Sequence, residues 1–142
     1  MVSVDFHVLA EDTPDARMRH ACRLAEQAVE QSQRVYLHAP AADVHRLDEL
    51  LWTFNDRAFL PHEVFGGETS VHPRMMILLG DRAGPPSHRQ LLINLADALP
   101  PQLEDYERIA EIVAVDPERK RAARERYKQY RERGCTLNTV EV

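Results

Sequence analysis

The chain of 142 residues carries 18 Lys and Arg against 23 Asp and Glu, a formal net charge of -5, with 44% hydrophobic and 29% charged residues. That make-up predicts one soluble globular domain over residues 1–142, and no apolar run approaches the ~20 residues a membrane-spanning helix needs. Cys22 and Cys135 stand far apart without a CxxC partner, which argues against a zinc knuckle or a disulfide framework. With no basic stretch ahead of an apolar core at the N-terminus, the reading is a cytoplasmic protein.

Val2, Val4, Phe6 and Val8 alternate with polar or small neighbours and predict a first strand. "EDTPDAR" then supplies a turn and a helix start, with Thr13 as N-cap and Pro14 at the first helical position. Met18, Cys22, Ala25 and Val29 recur at helical spacing to about Ser32. "RVYLHA" reads as a second strand, and "AADVHRLDELLW" as a second helix with Val44, Leu47, Leu50 and Leu51 inward. Further strands are expected at "MMILLG", "LLINL" and "ERIAEIVAV", separated by "GDRAGPP" and "LPPQLEDY". Asp116-Pro117 opens a last helix that Gly134 closes. Apolar strands alternating with amphipathic helices predict a three-layer α/β fold, a mostly parallel open sheet flanked by helices.

Such a sheet is Rossmann-like, yet no nucleotide-binding loop follows. Phosphate loops need closely spaced glycines, then Lys and Ser or Thr. The five glycines stand at 66, 67, 80, 84 and 134, none before a lysine, and the first strand leads into "AEDTPDAR", whose three carboxylates oppose a phosphate. The seven histidines show no metal-ligand spacing, and neither a GxSxG elbow nor a nucleophilic cysteine signature occurs. The sequence therefore predicts no catalytic site, no metal and no cofactor.

The charge is unevenly placed. Residues 117–133 hold eight Lys and Arg against three Glu, a net of +5, leaving ten against twenty, a net of -10, for the remainder. At about 100° per residue, with Lys120 as origin, Arg124, Tyr127, Lys128 and Arg131 fall at roughly 40°, -20°, 80° and 20°. Glu118, Glu125 and Glu132 gather near 120° to 160°, while Ala123 and Tyr130 mark the face that docks on the sheet. Solvation by Glu118–Arg121 and Glu125–Lys128 pairs would account for charge alone. A tyrosine amid cations suits an acidic peptide, with Arg and Lys on its carboxylates and the ring against its apolar part. Single-stranded nucleic acid is the competing ligand, opposed by the acidic body. A degenerate nucleotide-binding enzyme is the other rival reading.

A second surface lies in "LDELLWTFNDRAFLPHEVF", where the only tryptophan and three of the four phenylalanines concentrate. Phe59-Leu60-Pro61 reads as a proline-stiffened extended segment, with apolar area available to a partner subunit.

With "RLDELLWTF", "FLPHE", "LLINL", "ERIAEIV" and above all "ARERYKQYRERGCTLNT", the sequence resembles the chi subunits of the bacterial DNA polymerase III holoenzyme. The resemblance implies a non-catalytic replication accessory subunit that joins the clamp-loader assembly to single-stranded-DNA-binding protein. It implies that Arg124, Tyr127 and Lys128, with Thr139 beside them, hold that protein's acidic, phenylalanine-ended tail. It also places Trp52, Phe59, Leu60 and Pro61 at the contact with psi, the second small subunit, and makes a repair helicase a conceivable further partner. DNA would be engaged only indirectly.

Overall fold

A computed structural model describes residues 1–142 apart from 12, 14, 55–59, 68–71 and 73. In chain order the elements are β1 (Ser3–Val8), α1 (Ala16–Glu30), β2 (Val35–His38), α2 (Ala41–Thr53), β3 (His62–Val64), β4 (Ile77–Gly80), β5 (Leu91–Asn94), β6 (Arg108–Val113), α3 (Pro117–Glu132) and β7 (Thr136–Glu141). Among the described residues the strands form one seven-stranded sheet in the order β3-β4-β2-β5-β6-β1-β7, and every pairing is parallel.

Strands β2, β4 and β5 are short and buried on both faces, as a parallel sheet covered by helices requires. Val35, Leu37, Ile77, Leu79, Leu91 and Ile93 point to one face and pack with Cys22, Ala25, Leu47, Leu50 and Leu51 of α1 and α2. Tyr36, Leu78, Leu92 and Ile109 point to the other and pack with Ala123 and Tyr130 of α3. These are the three layers.

The winding explains which helix covers which face. The crossover β1–α1–β2 runs one way across the sheet, and β6–α3–β7 runs the other way. A constant crossover hand then puts α1 and α3 on opposite faces. Ligands of such sheets commonly bind beyond the strand ends, where the winding reverses. Here that crevice is lined by Glu11, Asp43 and Asp116 together with Arg17 and Arg119. Arg17 donates to the Leu95 and Ile112 carbonyls, and Arg119 lies 3.1 Å from Asp97. Three carboxylates beside two engaged guanidinia oppose a phosphate.

The structure departs from the sequence reading at the α1 cap and at the sheet edges. Helix α1 starts at Ala16 with Asp15, not Thr13, at the cap position; the Thr13 carbonyl accepts from the Ala16 amide at 3.1 Å. Pro14 lies outside the described residues. Strands β3 and β7, absent from the sequence reading, form the two sheet edges. Helix α3 begins as expected: Asp116 accepts from the Glu118 amide at 2.8 Å, Pro117 follows, and Gly134 stands just past the end at φ +82°.

Candidate partner-binding surface

Helix α3 is anchored from beneath by a buried polar network. Glu111, in the middle of β6, is fully buried, and its carboxylate meets Arg126 Nε and Nη2 at 3.1 Å each. Tyr130 donates to it at 2.6 Å and Asn94 Nδ2 at 2.9 Å. Arg126 also donates to the Asp97 carbonyl at 3.0 Å. Burial pushes the Glu111 carboxyl up, while Arg126, Tyr130 and Asn94 pull it back. Burial, reinforced by the Glu111 carboxylate, pushes the Tyr130 phenol up. Loss of Arg126 would leave the Glu111 carboxylate as a buried charge without its counter-ion.

That anchor fixes the orientation of the helix. Its β5-facing flank presents Ala122, Glu125 and Gln129 toward Asp97, Ala98 and Leu99. Its β7-facing flank opens onto a pocket of about 250 Å³ between α3 and the ends of β6, β1 and β7. Lys120, Arg124, Tyr127 and Thr139 form the polar side of that pocket, and Phe6, Val8, Val113 and Ala123 its apolar floor. The half-buried Tyr127 ring sits 5.3 Å from Phe6 at 53°, and the Arg131 guanidinium lies 5.6 Å over it. Phe6 in turn meets Tyr130 edge-on at 5.9 Å. The ring is therefore held by aromatic packing.

Of the expected tail-binding residues, Arg124, Tyr127 and Thr139 line one pocket, while Lys128 is exposed one turn along α3 from Arg124 and outside the lining. Lys120, Phe6, Val8 and Val113 were not singled out for the site. The signal for Lys120 was its place four residues before Arg124 on the basic arc, and for Phe6 its inward position in β1.

Charge pairing divides the eight cations of residues 117–133 into two groups. Arg119, Arg126 and Arg133 are paired with Asp97, Glu111 and Glu104. Among the described residues, no ion pair involves Lys120, Arg121, Arg124, Lys128 or Arg131. The Glu118–Arg121 and Glu125–Lys128 pairs that would have explained the charge by solvation are thus not formed. Arg124 and Lys128 point their charge at solvent beside an apolar hollow.

At the opposite edge, Trp52 and Val64 are 49% and 44% exposed, and Pro61 is exposed between them in sequence. The buried His62 holds Trp52 in place, with ring centroids 4.2 Å apart. Its Nδ1 lies 2.7 Å from the Leu60 carbonyl oxygen and its Nε2 3.0 Å from the Asp48 carboxylate. Leu60, expected at the surface, is only 5% exposed and packs in the α1–α2 core, because the extended segment turns that side chain inward. Phe59 lies outside the described residues.

The described residues thus form a doubly wound parallel sheet with an unpaired cationic, aromatic-walled pocket at one edge. The sequence profile of the family described as DNA polymerase III chi subunit, HolC, matches residues 1–138, and the chain belongs to that family. It is 41% identical to the DNA polymerase III subunit chi of Pseudomonas aeruginosa, covering 96% of this chain and 94% of that protein. The subunits chi of Haemophilus influenzae and Escherichia coli are 32% and 29% identical over 99% of this chain, covering 97% and 98% of their own lengths. The fold is therefore that of a replication accessory subunit of DNA polymerase III.

Proposed function

We propose that this chain is a non-catalytic bridge, holding the acidic C-terminal tail of single-stranded-DNA-binding protein at one edge and the psi subunit of the clamp loader at the other. The observation that carries the reading is the pocket in which Arg124 and Lys120, free of acidic partners among the described residues, face Tyr127 and Thr139 over an apolar floor. A terminal phenylalanine fills the apolar part, and its carboxylate and the acids before it meet the cations. Charge-assisted hydrogen bonds of this kind contribute about 1.5–3 kcal/mol each. Psi takes the exposed apolar area of Trp52, Pro61 and Val64, at the opposite end of the sheet, so both partners are held at once. The bridge works by raising local concentration.

The test is a titration with an acidic peptide ending in a free phenylalanine. Arg124→Ala weakens binding by about ten- to a hundredfold, at about 1.4 kcal/mol per decade, with an unchanged melting temperature. Added salt weakens the wild type, since the ions are exposed. Equal affinity of the two proteins for the peptide, or tighter binding of a single-stranded oligonucleotide than of the peptide, contradicts the proposal.

A further inference from the structure

We propose that the acidic peptide binds as an extra strand, pairing its backbone with the outer edge of β7 while its acidic side chains reach the free cations of α3. This rests on the tail-binding reading and adds the conformation of the bound partner and a backbone contact surface.

Strand β7 pairs with β1 on one side and, among the described residues, with nothing on the other. The direction of its backbone groups follows from two hydrogen bonds: the Thr136 amide donates to Val2 O at 2.9 Å and the Val142 amide to Val8 O at 3.0 Å. In a parallel ladder a residue turns its N–H and C=O to the same neighbour, alternating along the strand. Asn138 and Val140 therefore also point at β1. Leu137, Thr139 and Glu141 turn their N–H and C=O groups outward, forming an open template. Leu137 packs on the α3 side of the sheet and Thr139 lines the pocket, so the open backbone and the cationic hollow share one border.

The spacing of the cations fits an extended occupant. Lys120, Arg124 and Lys128 stand four residues apart on α3, a step of about 6 Å. Same-side residues of a strand repeat at about 6.6 Å. An extended chain on β7 thus presents every second side chain to the next cation along the helix, while its backbone meets the open groups of β7, which a helical peptide, its own backbone groups bonded internally, does not do. Opposite charge and this shared repeat favour an acidic peptide over a second copy of this chain, whose own edge strand offers one acid, Glu141. In recognition by strand addition, main-chain hydrogen bonds give affinity and alternate side chains give specificity.

The experiment uses the full chain and a short synthetic peptide with a run of aspartates and a free C-terminal phenylalanine. Amide exchange followed by NMR is expected to slow by about tenfold or more at Leu137 and Thr139 on binding, while the Asn138 and Val140 amides, already bonded, change little. Methylating the peptide's backbone nitrogens one at a time is expected to weaken binding about tenfold at alternate positions only. Arg124-dependent binding with no protection at Leu137 and Thr139, and no alternation, overturns strand addition and leaves the tail pocket standing. Absence of peptide binding overturns both. Protection of the same amides without peptide, appearing only at high protein concentration, assigns the edge to self-association and also overturns the proposal.

Discussion

Arg124 and Arg126 stand two residues apart on one helix, and a rotation of about 200° sends them to opposite fates. Arg126 is 3% exposed against Glu111, whereas Arg124 faces the pocket without an acid. Truncating Arg126 to Ala strands a buried carboxylate, so urea unfolding should show a loss of about 3–5 kcal/mol. A loss under 1 kcal/mol would mean that the network does not anchor the helix. The sequence reading placed Ala123 and Tyr130 inward but counted Arg126 only as charge. The missed signal was Glu111, a lone acid inside the apolar strand "RIAEIV", which needs a buried cation and whose partner's identity depends on how α3 crosses β6. A second residue-scale consequence concerns His20, 8% exposed on α1 with its Nε2 3.2 Å from His7 Nδ1. Burial, with His7 beside it, lowers its pKa from 6.5 to about 4. The unfolded chain thus binds the proton more readily. The stability His20 contributes is complete above pH 6.5 and is lost as pH falls toward 4, by about 1–3 kcal/mol. In His20→Gln, denaturant midpoints measured across that window should flatten; a slope equal to the wild type's would refute the assignment.

Among the elements, those with a buried face were legible and the edges were not. Strand β1 and helices α1 and α2 announced themselves by period, and β2, β4 and β5 by short apolar runs closed by turn residues. Strand β7, "TLNTVE", is exposed at all positions except the half-buried Leu137, so no alternation marks it, and only pairing with β1 makes it a strand. The three-residue β3 is hidden in the same way behind Pro61. Thr139 was nonetheless expected at the site, through the family resemblance of "LNT"; its geometric reason, the register that sets it opposite Phe6, was not readable from the chain. The joint between α3 and β7 was readable. Gly134 holds φ +82° with nothing within 4 Å of an added Cβ, so conformation alone decides a substitution there. Gly134→Ala should cost about 1 kcal/mol in chemical denaturation while leaving the fold intact. A neutral result would show that the helix-to-strand turn relaxes out of the left-handed region.

At the scale of the whole molecule, an acidic body carries, among the described residues, a basic ridge on the α3 face and an exposed apolar area of Trp52, Pro61 and Val64 at the far edge, beyond β4. The doubly wound scaffold separates these surfaces by the width of the sheet. Its usual ligand crevice is lined by carboxylates and engaged arginines, which oppose a phosphate there. The overall charge of -5 conceals this division, because residues 117–133 alone carry a net of +5. The proposed bridge would use this layout to hold its two partners at a fixed distance. The most direct test is co-purification of the chain with its cognate single-stranded-DNA-binding protein, either intact or lacking its last few residues. Capture of the intact protein, abolished by that truncation and by Arg124→Ala, is the predicted result. Undiminished capture of the truncated protein would contradict the account.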